Sequence, residues 1–262
     1  MSDTSSTPLL LARDGAIATL TFNRPAALNA LDVPTAHAFL AAVRGLAADA
    51  SVRAVVMRGA GKAFVAGGDL PTLRADPAQG AADLLTPLNE AVLLLHRMNA
   101  PLIAQVHGAA AGGGLSLMLH ADFVLAAEGT RFNLAYINLG TSCDVGASWF
   151  LPRLVGLRKA LEIALLGETL DAQEALQAGL LNRVLPAGEL DAAVQALAQR
   201  LAAGPTVAYG HMRRLMRDGF QNDLAAQLAA EASAFDHCAH TADLPAGIAA
   251  FLDKQPVRFQ GR

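Results

Sequence analysis

Backbone amides in two glycine-rich turns are the groups in this sequence best placed to do chemistry. Residues 108–116 read Gly-Ala-Ala-Ala-Gly-Gly-Gly-Leu-Ser. Glycine lets a ligand approach the backbone because no Cβ stands in the way. The first N–H groups of a helix beginning here have no partner within that helix. Such a turn makes an anion or oxyanion site; tight helix packing or a plain turn is the other reading that the glycines alone leave open. Spacing excludes a dinucleotide fingerprint, because Gly112-Gly113-Gly114 does not continue as Gly-x-Gly-x-x-Gly. It also excludes a nucleophile elbow, because Met118 stands where the last glycine of Gly-x-Ser-x-Gly belongs. A second turn runs Arg58-Gly59-Ala60-Gly61-Lys62-Ala63-Phe64-Val65-Ala66-Gly67-Gly68-Asp69. Two strand ends that each offer free N–H groups are what an enzyme needs to hold one developing oxyanion.

The elements that must position these turns follow from the flanking pattern. Ala54-Val55-Val56-Met57 leads into one turn and Leu102-Ile103-Ala104-Gln105-Val106 into the other, both short apolar runs of buried-strand type. Leu117-Met118-Leu119-His120-Ala121 reads as the helix after the second turn. Asp14-Gly15 between two β-prone runs, 9–12 and 17–22, is a hairpin signal. Asp32 with Pro34 marks a helix start. Residues 71–83 carry Pro, Gly and Asp without periodicity and read as a mobile stretch near the site mouth, ahead of a helix with Leu84, Leu88, Val92 and Leu95 on one face. Residues 122–126 and Arg131-Phe132 read as further strands, and strands alternating with helices argue parallel βαβ units. Beyond Gly146 the pattern is mostly helical. Asp171 and Glu174 form a capping-box start, Gly179 a stop and Val184 a short edge strand, and helical patterns cover 189–203, 205–218 and 221–235.

The chain has 262 residues, enough for one well-buried domain. Apolar residues make up 53% and charged ones 16%, a sparse charged surface that favours an oligomer. A net charge of −3 offers no basic field for nucleic acid or an anionic membrane. Cys143 and Cys238 have no metal-ligand spacing, so no metal is expected. Residues 1–7 are polar, without the apolar core of a signal peptide, and no apolar run reaches the length of a membrane span. A soluble cytoplasmic protein is expected.

The two turns resemble those of the crotonase (enoyl-CoA hydratase/isomerase) superfamily. Asn23-Arg24-Pro25 with Asn29-Ala30-Leu31, Arg153-Leu154-Val155-Gly156 and Phe251-Leu252-Asp253-Lys254 also match it, so the similarity covers the chain from about Leu9 to Arg262. The resemblance implies an α/β fold, a spiral of stacked ββα units over 1–200 with a C-terminal helical region, 201–262, that builds a trimer or a hexamer. It implies an acyl-CoA substrate, with coenzyme A part of that substrate and no separate cofactor. It makes the N–H groups of Gly68 and Gly113 the donors to the thioester oxygen, where loss of one donor typically costs about 10²–10³ in rate.

Hydratases of the family place a glutamate on the helix after the glycines and a second further on. Here those positions hold Ser116 and Tyr136, whose hydroxyls stay protonated at neutral pH, so two-glutamate hydration is not expected. Several isomerases of the family carry their acid in a Gly-x-x-Pro-Asp stretch. Gly140 and Asp144 match it, with Cys143 in place of the proline, and Trp149-Phe150-Leu151-Pro152-Arg153 resembles the subgroup that isomerises ring-epoxide phenylacetyl-CoA. Asp144 is therefore expected to take a proton from one carbon of an enoyl-CoA and return it to another. Its position ahead of a helix also suits an N-cap. Burial among Tyr136, Trp149 and Phe150 is expected to raise its pKa.

Arg24, Lys62 and Lys254 are candidates for the CoA phosphates, Phe64 and Ala66 for contact with the CoA arm. Ser116 reads as a locally bonded helix residue or a polar pocket contact, and Tyr136 as lining the acyl pocket. Two alternatives stay open. One is a hydratase in which Ser116 and Tyr136 position water and Asp144 activates it; the other is a non-catalytic acyl-CoA-binding homologue.

Overall fold

The computed structural model describes residues 7–262. The polar N-terminal stretch read above lies, apart from Thr7, outside them. Strands β1 (Leu9–Asp14) and β2 (Ile17–Phe22) form the antiparallel hairpin that Asp14-Gly15 announces, with Leu9 opposite Phe22. Then α1 (Val33–Ala48) starts where Asp32 accepts from the Thr35 N–H at 2.8 Å. Strand β3 (Ala54–Gly59) pairs parallel with β2.

Residues 71–83, expected to lack regular structure, are helical. They lie in α2 (Leu70–Ala75) and α3 (Pro77–Arg97). Pro71 and Pro77 each sit in a first helical turn, where a missing N–H costs nothing and the fixed φ is already helical. Asp76 caps α3 by accepting from the Gln79 N–H at 3.1 Å. The residues that looked like breakers are starters.

Next come β4 (Leu102–Val106), β5 (Ala109–Ala111) and the short helix α4 (Gly113–Met118), which ends before the expected Ala121. They are followed by β6 (Phe123–Ala127), β7 (Arg131–Asn133), α5 (Ala147–Val155), α6 (Leu157–Leu166) and α7 (Ala172–Gln177). The last is entered through the Asp171–Glu174 capping box. Strand β8 (Arg183–Leu185) precedes α8 (Ala187–Ala202), α9 (Thr206–Asp218), α10 (Leu224–Ala239) and α11 (Asp243–Leu252).

Six strands form one sheet in the order β1-β2-β3-β4-β6-β8, parallel from β2 onward, and β5 and β7 form a second, two-stranded parallel sheet. Isolated bridges extend the small sheet: Val65 bridges Ala110, and Phe132 bridges Leu170. The central strands are apolar on both faces, as a doubly covered parallel sheet requires. Val55, Met57, Leu102 and Ala104 join the main core with α1 and α3, while Val56 and Ile103 face Leu190, Val194 and Leu201 of α8. The C-terminal helices are pinned to this body through Asp122. Its carboxylate takes Arg213 Nε at 2.7 Å and Arg217 at 2.8 Å from α9, and also accepts from the Leu102 N–H of β4 at 2.7 Å. Among the described residues no helix is long and apolar enough to cross a membrane.

Candidate active site

The two glycine turns meet. Val65 of the first pairs with the strand leading to the second, accepting from the Ala111 N–H at 3.0 Å. Gly67 has φ +104° and Gly112 φ +47°, conformations that L side chains avoid, and a methyl added at Gly112 would lie 3.5 Å from Gly67 Cα. The glycines divide between the two readings that sequence left open. At Gly114 a methyl would stand 2.0 Å from the Val65 carbonyl oxygen, and at Gly108 1.9 Å from that of Lys62. Those are packing glycines. At Gly68 a methyl would meet only the Leu73 and Leu84 methyls, at 3.6 and 3.8 Å. Nothing in the packing demands glycine there.

The amides of Gly68 and Gly113 are left over by the local pairing. Leu31 donates to the Gly67 carbonyl at 2.8 Å and accepts from the Asp69 N–H at 2.9 Å, which takes the groups on either side and leaves the Gly68 N–H off the ladder. Gly113 is the first residue of α4, so its N–H has no acceptor in the helix. Among the described residues neither amide has a hydrogen-bond acceptor.

Asp144 stands beside Gly113. A methyl added at Gly113 would lie 4.0 Å from Asp144 Oδ1 and 3.9 Å from the Tyr136 hydroxyl. The Tyr136 hydroxyl donates to Asp144 Oδ1, and Ser116 Oγ lies 3.0 Å from the same hydroxyl. Ser116, fully buried on α4, also donates to the Gly112 carbonyl at 3.2 Å, the local bond expected of it. Desolvation raises the Asp144 pKa above the usual carboxylate value, opposed by the Tyr136 hydrogen bond. Burial, followed by the Asp144 charge, pushes the Tyr136 phenol far up, so it stays protonated.

The N-cap reading of Asp144 is not what the structure contains. The cap of α5 is Gly146, with no side-chain cap bond, and it is the Asp144 carbonyl, not its carboxylate, that accepts from Ala147. Of the aromatic residues expected around Asp144, Tyr136 bonds its carboxylate, and a methyl added at Gly146, two residues on, would lie 3.7 Å from the Phe150 ring. Trp149 stacks under the Arg153 guanidinium at 4.0 Å and, with Phe150, Met212, Met216 and Phe220, lines a cavity of about 330 Å³ between α5 and α9.

Two site residues escaped the sequence reading. Val145, directly after Asp144, has φ +47°, a strained conformation for a β-branched residue. Its carbonyl is held by His120 Nε2 at 2.8 Å, and the His120 ring packs on Phe150 with centroids 4.5 Å apart. His120 Nδ1 is buried without a partner. No local signal marks this pair, because the two residues come from separate elements. Burial lowers the His120 pKa from 6.5 to about 4. The unfolded chain therefore binds a proton near pH 6.5 that the folded chain refuses until about pH 4. Stability present above pH 6.5 should be lost as pH falls through that window, by up to about 3 kcal/mol. Urea unfolding at several pH values checks this, and His120→Gln should flatten the dependence.

The remaining candidates separate. Arg24 is occupied by the fold. It pairs with Asp32 at 3.1 Å, donates to the Ala30 carbonyl at 2.5 Å and approaches Asp69 at 3.9 Å, so it braces the first turn. Phe64 is corrected: it is 0% exposed, its ring edge-on to Phe22 in the core, and leaves no surface for a CoA arm to touch. Ala66 donates its N–H to the Leu28 carbonyl at 3.1 Å on the first turn, and Lys62 is exposed on its rim. Lys254 follows α11, which packs on α10; no described hydrogen bond or ion pair joins it to the turns.

A mostly parallel six-stranded sheet, a second two-stranded parallel sheet, and paired glycine turns with a half-buried acid beside one of them make an α/β enzyme of the crotonase fold. Residues 12–262 match the Enoyl-CoA hydratase/isomerase family, and the chain belongs to it. It is 36% identical over 250 residues to a probable enoyl-CoA hydratase of Rhodobacter capsulatus, covering 94% of this chain and 95% of that one. It is 35% identical over 251 residues, with 94% and 95% covered, to the 1,2-epoxyphenylacetyl-CoA isomerase of Escherichia coli K12. The crystal structure of a Mycobacterium smegmatis enoyl-CoA hydratase superposes with a TM-score of 0.91 at 34% identity, over 97% of this chain and 99% of that one.

Proposed function

We propose that the protein is an enoyl-CoA isomerase that moves a double bond with Asp144 as its sole acid and base. The observation that carries this is the Asp144 carboxylate beside Gly113, with hydroxyls at Ser116 and Tyr136 where a hydratase of the family has glutamates. The amides of Gly68 and Gly113 take the thioester oxygen as charge develops on it. Asp144 removes a proton from the carbon next to, or conjugated with, that carbonyl and returns it to another carbon. Lys62, exposed on the rim of the first turn, is the candidate for a CoA phosphate, and CoA enters only as part of the substrate.

Hydration of a 2-enoyl-CoA is the second reading, favoured by the designation of the Rhodobacter relative. There Ser116 and Tyr136 position a water that Asp144 activates. The test is a panel of saturated, 2-enoyl, 3-enoyl and aromatic CoA esters incubated in heavy water. The E. coli relative's name is the reason for including aromatic esters. Double-bond migration in a 3-enoyl-CoA without water addition supports the isomerase. Water addition to crotonyl-CoA supports the hydratase. Binding without turnover of any ester leaves an acyl-CoA-binding homologue.

The assembly belongs to the same proposal. Leu224, Phe235, Phe251 and Leu252 on α10 and α11 are 74%, 68%, 84% and 72% exposed in the single chain, more apolar surface than a monomer leaves to water. This surface supports self-association through region 201–262; the family resemblance makes a trimer or hexamer the expected form, and sedimentation equilibrium should return one of those masses.

A further inference from the structure

We infer that Tyr136 is a positioning residue: backed by Ser116, its hydroxyl pins one oxygen of Asp144 and reserves the other for both halves of the proton transfer. This rests on Asp144 being the base. Tyr136 opens a short 3-10 helix, Tyr136–Leu139, entered through Ala135 in a left-handed conformation, φ +58°. Its ring is buried and its hydroxyl meets Asp144 Oδ1 and Ser116 Oγ.

The hydrogens are few enough to follow. Tyr136 has one, directed at Asp144 Oδ1. Ser116 has one and two acceptors in reach, the Tyr136 oxygen at 3.0 Å and the Gly112 carbonyl at 3.2 Å. While Asp144 is ionised, Ser116 can donate to Tyr136 and Tyr136 to Asp144, so both dipoles point at the charge and strengthen each other. When Asp144 holds the substrate's proton on Oδ2, Tyr136 keeps its bond to Oδ1 and the Ser116 hydrogen turns to Gly112.

The step balances without water. A substrate C–H bond breaks, the proton joins Oδ2, and the electron pair moves onto the thioester oxygen. The Oδ2–H bond then breaks, the proton joins the other carbon, and the pair returns from oxygen to form that C–H bond. The phenol does not compete as an acid, since burial and the neighbouring carboxylate hold its proton in place. The elements packed around Asp144 carry few titratable groups. Tyr136 faces the carboxylate, His120 turns its Nε2 to the Val145 carbonyl, and Cys143 is the preceding residue. A fixed donor on Oδ1 takes one of that oxygen's two acceptor sites and holds the carboxyl still, so the proton taken on Oδ2 is the proton returned.

The experiment compares wild type, Tyr136→Phe, Ser116→Ala and Asp144→Asn on a 3-enoyl-CoA in water and heavy water. Tyr136→Phe should lower kcat about 10- to 100-fold, the effect of losing one hydrogen bond to a charged group. KM should stay within about threefold. Without the donor, the carboxylate is harder to ionise, so the acid limb of the kcat/KM profile should move up by about one pH unit. More solvent deuterium should appear in the product than with wild type. Ser116→Ala should move each readout the same way by less. Thermal melts establish that the variants are folded. If Tyr136→Phe leaves kcat and the acid limb in place while Asp144→Asn is dead, the positioning role is overturned and the base remains. A Tyr136→Phe effect on KM alone makes Tyr136 a substrate contact and overturns it too. An active Asp144→Asn removes the base and this inference together.

Discussion

Asp144→Asn should abolish double-bond migration while leaving the protein folded and able to bind a saturated acyl-CoA. Loss of a positioned acid/base costs about 10²–10⁴ in rate, and here no second carboxylate takes over. The asparagine oxygen can still accept from Tyr136, so the surrounding hydrogen bonds survive. The dissociation constant of a saturated CoA ester, measured by calorimetry, should change by less than about threefold, because binding does not use the proton transfer.

Stability supplies a second readout on the same carboxylate. The Asp144 pKa is raised by burial, so between its unfolded and folded values the folded state holds more protons. Stability then falls as pH rises through that window, and at neutral pH the buried charge opposes folding. Replacing it with a neutral amide should leave the melting temperature unchanged or raise it. A capping role would be blind to this change, because asparagine caps a helix about as well as aspartate. Wild-type kcat/KM should fall on the acid side at a pH above the usual carboxylate value, since only the ionised form can accept a proton.

Local chemistry was legible wherever a few neighbouring residues decide it. The Asp14-Gly15 hairpin, the Asp32 cap and the Asp171–Glu174 capping box all form as their residue types demand. The apolar strands ahead of the turns were equally plain, because a strand covered on both faces has to be apolar throughout. Proline misled at 71 and 77, since the same residue breaks a helix from inside and starts one from its first turn.

The site was harder to read because its geometry is long-range. Phe64 sits four residues from Gly68, yet its ring points into the core against Phe22. Arg24 looks like a free cation until Asp32 and Asp69 fold onto it. The bond from His120 to Val145, and the strained backbone it holds beside Asp144, join residues whose separation in sequence carries no pattern. The resemblance to a family brought Asp144, Ser116 and Tyr136 to attention; only the folded chain puts the phenol between the other two.

Gly114→Ala should be among the most destructive single-methyl additions in the protein, and Gly68→Ala among the mildest near the site. At Gly114 the new methyl falls 2.0 Å from the Val65 carbonyl oxygen and 2.7 Å from Val65 Cβ. Neither is a flexible side-chain end. Val65 is bonded to Ala109 and Ala111, so relieving the clash means separating α4 from the strand that aligns the two turns. Overpacking of this kind costs about 1–3 kcal/mol and sometimes more. For a domain of this size that lowers the melting temperature by roughly 2–4 °C per kcal/mol. Activity should fall further than stability, because the shift displaces the Gly113 amide that we propose holds the thioester oxygen. At Gly68 the methyl meets only Leu73 and Leu84 at ordinary contact distance, and the backbone is not left-handed. If its amide is the donor, the substitution keeps that donor, so the melting temperature should hold and kcat should stay within a few-fold. Thermal melts and kcat on both variants decide the matter. A folded, active Gly114→Ala would mean that α4 does not rest on Val65 as closely as the structure has it. A folded but dead Gly68→Ala would mean that the cleft needs the open space at that residue and not only its N–H.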